Sequence, residues 1–566
     1  MLLHVLVFAP FLAALLVAVA SAGGRSSRLP ILFSAGILAA SVALLVNGDT
    51  ETSPIDWFKL PGSDATVKYW LGTFTVNAWM VFLSSLLTLV ALISARTSFG
   101  GEYRNFAVGL LALLGTLNGA FLSLDAVLFF FFFEAMVIPA AILIASYGGA
   151  NRRSAAMTFA IYTLVGSAPM CIALWYMVAA SGSTTAAGLF AYLQTLSPEA
   201  VLVLSGSFML AFLVKTPVFP FHGWQAETYA EAPAQLSAIL TGAMSKVGVY
   251  GMLVWVLSLF PSSPKFELAM LMLGLVTALY GALMALRAKD IKKLLAFSSM
   301  GHLGLAVAAV FTFSPRMMAA VLVLLVGHGL TAGGLFFLSG TVERLAGTRE
   351  LSKIGGLAST NPVFAFIFGA LGIAALSVPG TAGFIGEFLA LLSLWDVGPF
   401  PALCGGLCLI LTAAYTLRLI QGVLFGKPVS RASGAKPLSV LEGSALGLLF
   451  ALALLFGVRP ALVYEFRVQA AGEAGPSEGY DTGLMGETQN SEAVDDGEYL
   501  TEEEIDEFLK QIMTEEEIAE MKKKIAEDSL AKANAALEAA EAAPDPGASP
   551  APPNPEPEAT AEASNE

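Results

Sequence analysis

Apolar stretches of about twenty residues, the length a helix needs to cross a bilayer, recur through most of the 566-residue chain. A backbone inside hydrocarbon must satisfy its own hydrogen bonds, so a series of such stretches restricts the fold to a bundle of membrane helices. Composition agrees: only 13% of the residues are charged, where a soluble domain carries about a quarter. The first stretch, Leu2 to Ala22, lacks the basic segment that opens a signal peptide. Further spans follow it, so it reads as a helix that stays in the protein.

Hydropathy places spans near 2–22, 30–47, 74–97, 106–124, 125–147, 155–180, 200–222, 234–260, 266–287, 293–313, 317–341, 361–395, 401–425 and 437–457. That makes fourteen, with the seventh and twelfth interrupted by Pro- or Gly-rich stretches. Connections after odd-numbered spans carry 16 Lys and Arg, while those after even-numbered spans carry four: Lys59, Lys68, Lys265 and Arg316. By the positive-inside rule the odd connections are cytoplasmic and both termini lie on the opposite side, with Arg459 and Arg467 as a mild exception. The expected fold is an all-α polytopic membrane protein of about 14 transmembrane helices. Spans 4–8 and 9–13 would form two inverted five-helix repeats, because five is odd; their broken members are spans 7 and 12.

Charge divides the chain. Residues 1–467 hold 25 Lys and Arg against 18 Asp and Glu, and residues 468–566 hold 5 Lys against 26 acids. The expected organisation is a membrane body over 1–467, a disordered linker over 468–498, an acidic amphipathic helical tail over 499–543 and a disordered Ala/Pro/Glu-rich end over 544–566. Thr501 with Glu504 fits a capping box, and Ile505, Phe508, Leu509 and Ile512 give the tail one apolar face. That face suits a protein partner; a solvated, weakly helical tail is the plainer alternative.

Ionisable residues inside spans cost about 2.5–3.5 kcal/mol each at a helix centre. Four stand out: Glu134 in "FFFFFEAMVIP", Lys215 in "AFLVKTPVFPFHGW", Lys246 in "LTGAMSKVGVYGMLVW" and Glu387 in "VPGTAGFIGEFLALLSLW". Two acids and two bases suggest an internal proton-transfer set rather than static ion pairs or snorkelling side chains. Lys215 is expected at the C-terminal end of a half-helix, where free carbonyls favour a cation. Glu387 is expected in the opening turns of another, where free amides favour an anion. Broken helices in corresponding halves of a transporter mark an ion path. His302 and His328 lie in sequence between Lys246 and Glu387 and are read as relay or water-wire support, since imidazole titrates near neutral pH. His222 is a weaker candidate, and Glu227 and Glu231 are expected at the cytoplasmic mouth. Cys171, Cys404 and Cys408 form no CxxC pair, so no zinc or iron–sulfur site is expected. No Gly-rich nucleotide loop is visible, no nucleic-acid partner is expected, and no metal site is expected.

The stretches "FFEAMVIPAAILIASYGG", "VKTPVFPFHGWQAETYAEAP", "SKVGVYG", "DIKKLLAFSSMGHLGL", "GHGLTAGGLFFLSGTVE" and "LSVPGTAGFIGEF" occur in this order. Together they resemble the antiporter-like proton-pumping subunits of respiratory complex I, in particular the subunit M (chain 4) family of NADH-quinone oxidoreductase. The resemblance covers about residues 70–430. It implies that Glu134 is the helix-5 acid, Lys215 and Lys246 the central lysines, and Glu387 the exit acid. The glutamate of "GFIGEF" is like subunit M; related L, N and Mrp-type subunits usually carry lysine there. The family's "HTWLPDAHVEAP" is replaced here by "HGWQAETYAEAP", which puts Gln225, Ala226 and Glu227 in place of Leu-Pro-Asp and Tyr229 in place of histidine. The acidic tail lies outside the family pattern.

The resemblance further implies a subunit with no cofactor of its own, with flavin, iron–sulfur clusters and quinone in partner subunits. The partners would be L-, N- and K-like membrane subunits in a bacterial inner membrane. An acid beside a buried lysine stabilises its proton, and moving the acid away releases it; Glu134 and Lys215 would make such a switch. The alternatives are an Mrp-like cation/proton antiporter subunit, the equivalent subunit of a membrane-bound hydrogenase-type complex, and a structural scaffold with inert buried ions.

Overall fold

The hydrocarbon-length stretches fold as helices. A computed structural model describes residues 1–20, 28–48, 50–261, 263–427 and 437–464. The tail, with the linker and end assigned to it, lies outside these residues. Among the described residues, twelve helical stretches are long and apolar enough to cross a membrane. One of them, Thr75–Leu122, holds two helices, Thr75–Phe99 and Tyr103–Leu122, joined by a tight turn at Gly100 in the left-handed region. Two shorter helices, Pro362–Ala375 and Ala382–Val397, flank a break at residues 376–381.

The core is not evenly shared. Met317–Ala346 is a 30-residue helix whose apolar window is buried throughout, about 45 Å of helix running through the bundle. Around it stand Thr75–Phe99, the Ala234–Leu259 stretch and Ala382–Val397. Arg152–Ser181, by contrast, exposes Ile161, Val165 and Ile172 on an outer face. Glycine sets the closest approaches. A Cβ on Gly386 would lie 2.6 Å from the Leu324 backbone, and one on Gly457 would lie 2.3 Å from Gly380 O. The first contact presses the turn carrying Glu387 onto the central helix; the second seats the last long helix against the break at Gly380.

Contacts between connections sort into two faces. On one, Asn151 N donates to Glu231 Oε2 (2.8 Å), Arg349 meets Glu231 (3.4 Å) and Asp290 (3.3 Å), and Thr97 donates to Glu442 (2.6 Å). Asn151, Glu231, Arg349 and Asp290 belong to connections after odd-numbered spans, and Thr97 and Glu442 lie at the helix ends that adjoin such connections. On the other face, Lys68 N donates to Asp125 (3.1 Å), Thr184 donates to the same carboxylate, and Arg316 pairs with Asp396 (2.7 Å). Lys68, Thr184, Arg316 and Asp396 belong to even connections and Asp125 opens the fifth span, so in these contacts even connections meet one another.

Two expectations need adjusting. The all-α reading misses a short antiparallel hairpin, Ile55–Lys59 with Thr66–Tyr69, on the even-connection face. Asp125 ties this hairpin to the helix it caps, accepting from Val127 N and Leu128 N as well as from Lys68 N and Thr184. The seventh span is also shorter than hydropathy suggests. Its helix is Pro198–Lys215, and residues 216–224 form turns before the short helix Gln225–Glu231. Pro217 and Pro220 remove two amide donors, which ends the ladder.

Candidate functional site

Lys215 is the last residue of its helix. The carbonyls of that final turn are already satisfied: Thr216 N donates to Phe212 O (2.8 Å), Val218 N to Leu213 O (2.9 Å) and Trp224 Nε1 to Val214 O (3.0 Å). The ammonium therefore does not cap the helix by hydrogen bonding. It is buried, with its Nζ 4.4 Å from the centroid of the Phe133 ring and no hydrogen-bond partner among the described residues. Glu134 follows Phe133, just before the one-residue interruption at Met136 between Ala126–Ala135 and Val137–Tyr147. Its Oε1 is also buried without a hydrogen-bond partner. Lys215 thus rests against the residue that precedes Glu134 without closing an ion pair to the acid.

Lys246 is placed differently. The helix ahead of it loosens into a π-helical turn at Leu240–Met244, and Ser245 N reaches back to Leu240 O (3.0 Å). Such turns are rare and concentrate at functional positions. The carbonyl of Thr241 receives Lys246 Nζ (2.9 Å) together with Ser245 Oγ (3.0 Å). Lys246 Nζ also lies 3.0 Å from His328 Nδ1 on the central helix. The lysine is fully buried. Gly248 brings its helix against the end of the Lys215 helix: a Cβ there would meet Thr216 Oγ1 at 2.0 Å and Phe212 O at 2.7 Å.

From His328 the line continues to His302, whose ring centroid is 5.2 Å away at a tilt of 32°. His302 Nδ1 lies 2.8 Å from Ser298 O. A carbonyl only accepts, so Nδ1 carries a hydrogen. His302 Nε2 is 2.9 Å from Glu387 Oε1, close but not well aligned as a hydrogen bond. Two states fit: an imidazolium facing a carboxylate, or a neutral imidazole facing a carboxylic acid. Both hold one proton between the two side chains. His328 obeys the same accounting. If Nδ1 accepts from Lys246, its hydrogen sits on Nε2, which is buried and unpartnered.

The structure thus joins Lys246, His328, His302 and Glu387 into one buried line and sets Glu134 and Lys215 together as a second group. His222 joins neither through its hydrogen bond or ring contacts. It lies against Phe219 and Tyr280, with Nε2 3.3 Å from the Tyr280 hydroxyl. Glu227 is exposed and pairs with Lys293, whereas Glu231 is buried and held by Arg349 and Asn151. Sequence reasoning missed the supporting hydroxyls. Thr241 donates to Ser299 (2.6 Å), and Ser298 shares a 3.0 Å contact with Tyr415. A serine or threonine in an apolar helix carries no signal of its own; only the spacing of Ser298 one turn before His302 hinted at a role. Among the described residues no group of three or more His, Cys, Asp or Glu is arranged to hold a metal.

The profile of the family described as NADH:quinone oxidoreductase/Mrp antiporter, TM matches residues 123–416, just over half the chain. That interval contains every residue of both groups. NADH-quinone oxidoreductase subunit M of Rhodobacter capsulatus is 31% identical over 481 residues, 82% of this chain and 94% of that protein. A chain of respiratory complex I from Thermus thermophilus with bound NADH superposes with a TM-score of 0.73 at 30% identity, covering 84% of this chain and 100% of that one. A chain of the Mrp complex from Dietzia sp. DQ12-45-1b gives the same TM-score at 23% identity over 85% of this chain and 98% of that one, a likeness of fold alone. The chain belongs to the NADH:quinone oxidoreductase/Mrp antiporter family of transmembrane subunits.

Proposed function

We propose that this chain is a proton-translocating membrane subunit of an NADH-quinone oxidoreductase, moving protons through Glu134, Lys215, Lys246, His328, His302 and Glu387. The observation that carries the reading is the continuous line from Lys246 through the two histidines to Glu387. Four titratable groups in contact inside a membrane bundle are costly unless they are used. A proton leaving Lys246 has His328 Nδ1 as its nearest side-chain acceptor. A proton arriving at His302 is shared at once with Glu387. Glu134 and Lys215 act upstream: bringing the carboxylate to the ammonium holds a proton there, and drawing it away sends the proton on. Moving one charge against 100 mV takes about 2.3 kcal/mol, and a two-unit swing in proton affinity supplies roughly 2.7 kcal/mol.

The chain would carry no redox centre; flavin, iron–sulfur clusters and quinone would sit in partner subunits, and L-, N- and K-like membrane subunits would flank it. Fourteen crossings in two inverted five-helix repeats, with both termini outside the cytoplasm of a bacterial inner membrane, fit the charge bias and the two faces of connections. In this reading residues 1–467 form the translocating body. Residues 468–498, 499–543 and 544–566 form an accessory linker, helix and end. His222 would lie beside the route, against Tyr280.

The test is to purify the complex from its native host, identify its subunits, and measure NADH oxidation and proton uptake in proteoliposomes. Lys215→Ala is expected to leave the subunit inventory intact and to lower the proton-to-electron ratio; an unchanged ratio would remove Lys215 from the route. Cation-driven proton exchange by a complex that does not oxidise NADH would overturn the oxidoreductase assignment in favour of an antiporter.

A further inference from the structure

A cavity of about 510 Å³ opens on the even-connection face, where the start of Pro198–Lys215, the end of the Ala234–Leu259 stretch and the start of Pro264–Arg287 meet. Its inner walls are apolar, with Val201, Val256, Phe260, Phe266 and Phe311 among them. Ser205 also lines it, which sets its depth at about 10 Å of helix beyond Pro198. Leu202 is both a lining residue and 52% exposed. Its neighbour Val203 is exposed too, as is Leu268, the residue after the lining Glu267, so the cavity opens beside apolar surface of the kind that faces lipid. The mouth is polar. Glu199 and Glu267 line it from the first turns of their helices, Glu267 Oε1 accepts from Ser263 N (3.0 Å), and Lys265, two residues before Glu267, is exposed outside the lining.

We propose that this cavity holds one acyl chain of a phospholipid whose headgroup is a primary amine. The volume lies in the range of small-molecule sites, and apolar walls with a few polar groups at one end match an amphiphile. An ethanolamine headgroup presents an ammonium that donates hydrogen bonds to the two carboxylates, while its phosphate faces Lys265. A glycerol headgroup brings the phosphate charge to two carboxylates with no cation to offset it. A choline headgroup has the positive charge but no N–H to donate. The lipid would wedge the ends of the two helical stretches that carry Lys215 and Lys246. The proposal rests on the cavity and its mouth, and does not depend on what the lysines do.

The test uses the intact complex in nanodiscs containing phospholipids with a diazirine on the acyl chain and an ethanolamine, choline or glycerol headgroup. After irradiation, labelled peptides are mapped by mass spectrometry. The expected result is labelling within residues 193–205 and 256–267, several-fold stronger for ethanolamine than for glycerol. Glu199→Gln with Glu267→Gln should bring the headgroups to near parity while the complex stays assembled, and Leu202→Trp should lower labelling by all three. Equal labelling by the three lipids in the unaltered complex would overturn the proposal. So would a preference that survives the double substitution, or an absence of label from these residues. If Leu202→Trp prevents assembly, the double substitution at the mouth still decides.

Discussion

Two of the buried lysines, Lys215 and Lys246, sit in the same bundle and are held differently. Lys246 is held by a carbonyl and an imidazole, and its line ends in a second imidazole paired with an acid. Lys215 rests on an aromatic face, with Glu134 near but not bonded. In the proposed route, contact would fix where a proton passes along the Lys246 line. At Lys215 a gap leaves the pairing open to change, and a switch needs two arrangements of similar energy. The difference teaches that one buried lysine can be anchored by hydrogen bonds and another left on an aromatic face; in the proposed route the first would conduct and the second would gate.

Breaking the complete line should have the largest effect. Lys246→Ala leaves His328 Nδ1 without its donor and Thr241 O with Ser245 Oγ alone, and proton transfer is expected to fall roughly a hundredfold, read as proton flux into proteoliposomes with the subunit inventory intact. Full pumping by that variant would show that the line is not the route. Glu387→Gln comes next. The amide can still accept from His302, but the shared proton is gone, so pumping should fall with little loss of assembled complex. A proton-to-electron ratio equal to that of the unaltered protein would make the His302–Glu387 contact structural.

The open pair should respond to charge more than to shape. Lys215→Arg keeps a cation over Phe133, but arginine stays protonated, so pumping should be lost while assembly is retained; normal pumping would make Lys215 a fixed charge. Glu134→Gln should slow turnover by about tenfold, equivalent to ~1.4 kcal/mol, and Glu134→Asp should be milder. Similar rates for the two variants would show that charge at 134 is not the lever. The smallest effect on pumping is expected from ending the chain near residue 470. Lost pumping with a complete set of subunits would place the acidic tail in the proton path and erase the division between body and tail.

Much of this was legible in the residues. A buried charge in an apolar helix announces itself by its cost, so Glu134, Lys215, Lys246 and Glu387 stood out without coordinates. The break after Lys215 was written in Pro217 and Pro220. The length of the helices and the family motifs were likewise carried by composition and residue order. The hairpin at Ile55–Lys59 and Thr66–Tyr69 was not, because it is short and lies between apolar spans that dominate the hydropathy.

The sequence by itself determined which groups had to be buried in the membrane, since hydropathy and charge act locally along the chain. Which of them touch was decided only by the tertiary structure. The π-helical turn at Leu240–Met244 shifts the hydrogen-bond register by one residue, and Thr241 O receives Lys246. Gly386 lets the Glu387 turn reach the central helix. Ser298 and Ser299, adjacent and alike in sequence, serve Tyr415 and Thr241 respectively. Such pairings depend on the rotation and separation of helices far apart in the chain, set by packing at glycines and aromatic rings.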